Sequence, residues 1–130
     1  MTFFIQVPVV QIFTVIYKLR WLLFVTCLSV LCYGLFRPQA PPNPFSHSDK
    51  VLHCLAFFGF SLVARFAFLK RANSLIWLVV LALAPASEYL QHYLQPHRSF
   101  SWLDILANST GVILGLLVWL ALQEHIKNRL

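Results

Sequence analysis

A chain of 130 residues is long enough for one domain. Hydrophobic residues make up 59% of it and charged residues 11%, against about 25% charged in an ordinary soluble domain, and mean hydropathy is +0.73; a water-soluble globule of this size could not hide so much Leu, Val, Phe and Trp. The formal net charge of +6 is scattered singly between apolar runs, which fits the positive flanks of membrane spans and argues against a nucleic-acid surface.

The opening "MTFFIQVPVVQIFTVIYKLR" has no positive residue before its apolar stretch, so it does not fit a cleavable signal peptide. Gln6, Pro8 and Gln11 make it a poor span, and it reads as an interfacial segment or an overlong start to the first span. That span, "WLLFVTCLSVLCYGLF", is uncharged and short unless it begins near Tyr17, giving residues 17–36. "RPQAPPNPFSHSDK" follows and holds four of the seven prolines; it reads as a stiff, extended strap outside the bilayer. The second span covers about 51–69, and "KRAN" makes a basic turn. The third covers about 74–94, with Pro85 inside it, and "QPHRS" leads to the fourth, about 100–122. The fold class is therefore an all-α membrane protein: one domain over residues 1–130, a bundle of four transmembrane helices preceded by a short interfacial N-terminal segment.

Orientation follows from Lys and Arg. Lys18, Arg20, Arg65, Lys70, Arg71, Lys127 and Arg129 fall on one side; Arg37, Lys50 and Arg98 fall on the other. Both termini are expected in the cytoplasm, with the strap and the "QPHRS" turn outside. Arg65, one turn from its helix end, is expected to snorkel to the interface. Cys27, Cys32 and Cys54 all sit in apolar runs and form no C-x-x-C pair, so they read as small buried hydrophobes, with neither disulfide nor metal site expected.

Three of the four acidic residues lie on the outward side, on three different spans. Asp49, Lys50 and His53 begin the second span, and Asp49 and His53 share a face at i, i+4. Glu88 and Gln91 share a face near the end of the third. Asp104, Asn108, Gly111 and Gly115 form one stripe on the fourth, with Arg98 just before it. An ionisable group inside a span normally faces a partner or a wet cavity, so three such faces at one depth are expected to meet. Gly111 and Gly115 form G-x-x-x-G and would let another helix come close, most simply within the same subunit. His47, His92 and His97 read as solvated or interfacial.

"DKVLHCLAFF", "SEYLQ" and "PHRSFSWLDILANSTGVILG" together resemble the VanZ family of small membrane proteins, over about residues 49–115 and in the family's order. The matching positions are Asp49, Lys50, His53, Glu88, Gln91, Arg98, Asp104, Asn108, Gly111 and Gly115. His97 stands where the family often has Gly. The resemblance implies a multi-pass protein of the bacterial cytoplasmic membrane. The member that gives the family its name is associated with resistance to teicoplanin, which says nothing about resistance here.

Two readings of the polar residues compete. They could be a buried network that only fixes packing, with Asp49 on His53 or Lys50, Glu88 on Arg98, and Asn108 on a backbone group; the chain would then be a structural or scaffolding subunit. Alternatively they form an outer-leaflet pocket. Arg98, Lys50 and His53 would hold phosphate or carboxylate, and Glu88, Asp104 and Asn108 would bond sugar or amide groups; Asp49 and Gln91 belong to the same ligand-binding set. A lipid-linked cell-wall or polysaccharide precursor is the ligand class that the resemblance favours. A remote third reading is a membrane hydrolase or transferase with His53 as general base; no catalytic residue is assigned. No cofactor and no metal are expected, since no short ligand motif is present. Membrane lipids are the expected partners, nucleic acid is not, and a homo-oligomer is compatible with the sequence.

Overall fold

The computed structural model describes residues 3–39 and 42–128. The expected cytoplasmic charge Arg129 and positions 40–41 of the strap lie outside them. The described residues form five helices and no strand: α1 (Phe3–Lys18), α2 (Arg20–Phe36), α3 (Ser48–Ala67), α4 (Asn73–Leu94) and α5 (Trp102–Lys127). Helices α3, α4 and α5 are each long and apolar enough to cross a membrane. Val10–Lys18 and α2 pass the same test together but are bent by 60°, so the described residues hold three such helices, or four if this pair is one broken span.

The bend falls where the sequence turns polar. Arg20 donates from Nη1 to the Tyr17 carbonyl at 2.9 Å and lies over the Tyr17 ring, 4.1 Å from its centroid. A guanidinium on an aromatic face is favourable, and here it keeps the charge at the corner between the two helices.

From α2 onward the helices alternate in direction, and α3 stands at the centre. It packs most extensively on α5, then on α2, and less on α4. The core is built from Phe57, Phe60 and Ala64 of α3, Ile76, Trp77, Val80 and Ala84 of α4, and Val112 and Trp119 of α5. Phe24 of α2 stacks on Phe60 with centroids 5.9 Å apart. The outer faces are apolar too: Leu22, Val30, Leu78 and Leu106 are all exposed, as befits a bundle whose solvent is lipid and whose association relies on packing.

Helices α3 and α5 approach closely because α5 lacks side chains at the contact. A methyl group on Gly111 would collide with the Cys54 carbonyl oxygen and the Phe58 amide; one on Gly115 would collide with the Ser61 hydroxyl. Ser61 keeps that hydroxyl satisfied by donating to the Phe58 carbonyl at 2.8 Å. The G-x-x-x-G stripe thus packs inside the chain.

Arg65 departs from the sequence expectation. It does not snorkel outward but is 5% exposed. Its Nε donates to Asn73 Oδ1 at 2.6 Å, its Nη1 to the Phe68 carbonyl at 2.9 Å, and its guanidinium lies 5.1 Å from the Trp119 ring. Trp77 donates to the same Asn73 oxygen at 3.0 Å. Phe68 and Asn73, at the turn between α3 and α4, supply the acceptors, so the charge is solvated by the protein.

Replacing Gly111 with Val should destabilise the bundle by about 1–3 kcal/mol, the ordinary cost of overpacking. Thermal unfolding in mild detergent checks this, and an unchanged midpoint would mean that α3 and α5 are not in backbone contact there.

Candidate functional site

The polar end of the bundle is organised by the start of α5. Its first N–H groups have no partner inside the helix. Ser101 caps them, its Oγ accepting from the Asp104 amide at 3.3 Å. In a capping box the third helical residue returns the bond to the cap's own N–H. Here that residue is Asp104, yet the Ser101 N–H donates instead to Glu88 Oε1 of α4 at 2.8 Å. Asp104 is thereby released to face α3.

There it meets Lys50, which is ion-paired with both Asp104 and its neighbour Asp49. Asp104 is buried, while Asp49 and Lys50 are partly exposed. One ammonium shared by two carboxylates leaves the trio with a formal excess of one negative charge. His53, one turn further along α3, places Nε2 3.9 Å from Asp104 Oδ2.

Asn108 closes the network and is fully buried. Its Nδ2 donates to the Ala84 carbonyl at 3.3 Å and to Ser87 Oγ at 3.2 Å. Its Oδ1 is therefore an acceptor, and it lies 2.9 Å from His53 Nδ1. That geometry assigns the proton to Nδ1 of His53, so a neutral ring presents an acceptor at Nε2 and a charged ring presents a donor towards Asp104. One amide ties α3, α4 and α5 together.

A second part of the polar end serves α2. The last carbonyls of α2 lack helical partners, and the proline-rich strap cannot continue the helix. Gln91 Nε2 donates to the Leu35 carbonyl at 2.6 Å. Gln95 Nε2 donates to those of Phe36 and Arg37 at 2.8 and 3.1 Å. Arg98 Nη1 lies 3.5 Å from the Leu35 carbonyl.

The structure thus brings together Asp49, Lys50, His53, Asp104 and Asn108, joins Glu88 to them through Ser101, and turns Gln91 and Arg98 towards α2. One expected pairing is replaced, and of the two partners expected for Asp49 the structure gives Lys50. Glu88 takes the Ser101 amide and not Arg98, and His53 takes Asn108 and not Asp49. Gln95, Ser87 and Ser101 were not singled out in the sequence. The spacing of Gln91 and Gln95, i and i+4 on one helix face, carried the signal for Gln95; the S-x-x-D pattern of Ser101 and Asp104 carried that for the cap. His47, His92 and His97 are exposed. Among the described residues, no three His, Cys, Asp or Glu side chains gather in a metal-binding arrangement.

Two cavities open on this cluster. A shallow bowl of about 640 Å³ is lined by Asn43, Phe45, Ser46, His47, Asp49, Lys50, Ser101 and Leu103. A groove of about 520 Å³ runs between α2 and α3, mostly apolar, with Arg37, Asn43, Asp49, His53 and Arg98 at its polar mouth. Asp49 borders both. Glu88 Oε2 and Gln95 Oε1 are buried without a hydrogen-bond partner among the described residues. The cluster therefore offers cations, carboxylates and an imidazole at a place reachable both from the end of the bundle and from its side.

Removing the Lys50 ammonium leaves Asp104 buried and unpaired, which should cost about 3–5 kcal/mol. Lys50→Ala with Asp104→Asn should recover much of that loss. Unfolding of the single and double variants in detergent tests the pairing; additive losses would break it.

No curated protein and no solved structure gives a significant match to the chain. The family model described as VanZ/LLP1 does match, over residues 2–123. That span takes in all five helices except the last residues of α5, together with every residue of the polar cluster. The chain belongs to the VanZ/LLP1 family of membrane proteins.

Proposed function

We propose that this protein binds the polar head of a cell-envelope lipid or polysaccharide precursor at the outer face of the bacterial cytoplasmic membrane, and so affects envelope assembly or glycopeptide susceptibility. The orientation rests on the excess of Lys and Arg at the opposite end of the bundle. The observation that carries the reading is that the charged cluster is open: Asp49 and Lys50 are partly exposed and border the bowl, while Asp49 and His53 border the groove. A network that served packing alone would gain nothing from two openings, since buried polar groups are costly and water access weakens them.

Charge and hydrogen-bonding capacity agree with such a head. Arg98 and Arg37 at the groove mouth suit phosphate. Asp49, with its charge shared through Lys50, and the Nε2 of His53 suit hydroxyl or amide donors.

A structural role is favoured by a different observation, the engagement of Gln91, Gln95 and Arg98 with the main chain of α2. The two readings separate on residues that hold no helix in place. Asp49→Asn removes a partly exposed charge whose only ion pair among the described residues is with its own neighbour. Lipid mass spectrometry on protein purified in mild detergent should show a co-purifying envelope lipid in the wild type that is lost, with folding yield unchanged, in Asp49→Asn and in Arg37→Ala. Identical lipid species in all three samples would leave the structural reading standing and remove the binding one.

A further inference from the structure

The groove between α2 and α3 carries the reading further than a headgroup. It runs along α2 from Arg37 to Cys27 and along α3 from Asp49 to Gly59. At 1.5 Å per helical residue that is about 15 Å, half of the roughly 30 Å hydrocarbon core of a bilayer. Its polar groups are confined to one end, and beyond them its walls are apolar, with Val30, Leu52 and Leu55 exposed. A groove one leaflet deep, wet at its mouth and greasy along its length, matches an amphiphile standing parallel to the bundle.

An independent observation concerns the glycines. Gly111 and Gly115 are in tight helix contact, but a Cβ on Gly34 or Gly59 would meet nothing within 4 Å. Both of these line the groove. Glycine inside a helix weakens it relative to alanine, and no neighbouring helix requires it at either position. What their absent side chains provide is space in the groove.

The mouth sets the sign of the head. Arg37 makes no side-chain hydrogen bond or ion pair among the described residues, and Arg98 makes only its 3.5 Å approach to the Leu35 carbonyl. The carboxylate at the same mouth, Asp49, is paired with Lys50. Two guanidinium groups without carboxylate partners present fork-shaped donors that suit phosphate.

We infer that the α2–α3 groove holds one hydrocarbon chain of a membrane lipid whose anionic phosphate is bound by Arg37 and Arg98. This rests on the polar end being a ligand-binding end, but not on any sugar or peptide beyond the phosphate. The probes are dioleoyl phosphatidate, dioleoyl glycerol, which lacks the phosphate, and inorganic phosphate, which lacks the chain. Binding is measured by native mass spectrometry on the full protein in mild detergent. The wild type should retain phosphatidate at least about tenfold better than dioleoyl glycerol, the equivalent of one charge-assisted bond. Arg37→Gln should lose about that factor. Gly59→Leu should fill the groove, lose binding of phosphatidate about tenfold or more, and elute as the wild type does; Gly34→Leu repeats the test at the other wall should the first variant fold poorly. Phosphatidate binding unchanged by both glycine variants, or inorganic phosphate competing as well as the lipid, would overturn the chain assignment. Equal retention of dioleoyl glycerol would overturn the phosphate assignment. Failure here, with the envelope lipid still lost in Asp49→Asn, would leave the headgroup site in place and remove only the groove.

Discussion

A carboxylate placed inside an apolar bundle must be matched there, and Asp104 is matched by Lys50 across the contact between α3 and α5. The rest of the polar end is arranged around that meeting. Glu88 takes over the N–H of Ser101 that Asp104 would otherwise cap, which frees Asp104 to turn towards α3. Asn108, one turn below, fixes the ring of His53 beside the same carboxylate while holding the Ala84 carbonyl of α4. The meeting also needs the two backbones to lie close, and Gly111 and Gly115 permit that without any cost in polar desolvation. Chemistry and packing thus share one stripe of α5, polar in its first turns and bare below.

Much of this was legible in the sequence because membrane proteins obey strong rules. The stripe Asp104–Asn108–Gly111–Gly115 could only point inward, since lipid punishes ionisable groups and rewards close packing. The prolines of the strap ruled out a helix between α2 and α3. What sequence could not give was the partner of each polar group. Glu88 with Arg98 is a natural pairing by charge, but a helix N-terminus and a helix C-terminus both lie nearby with unpaired main-chain groups, and these took Glu88 and Arg98 respectively. Arg65 misled for the same reason: snorkelling looks to water for acceptors, whereas here Asn73 and the Phe68 carbonyl supply them. The groove between α2 and α3 had no sequence signature, because isolated glycines such as Gly34 and Gly59 read as neutral until their surroundings are seen.

Two kinds of polar residue therefore coexist at one end of this VanZ/LLP1 protein. Gln91 and Gln95 work inward, completing a helix that the strap interrupts. Asp49, Lys50 and His53 remain in reach of the surrounding medium. Arg98 stands between them, close enough to α2 to steady it and at the mouth of the groove.

The hold on α2 has a corollary. Gln91 and Gln95 grasp main-chain oxygens of Leu35, Phe36 and Arg37, never their side chains. The anchorage is consequently indifferent to which amino acids occupy those three positions. A change of side chain at the rim of α2 can therefore alter the opening while the bonds that station the helix stay in place.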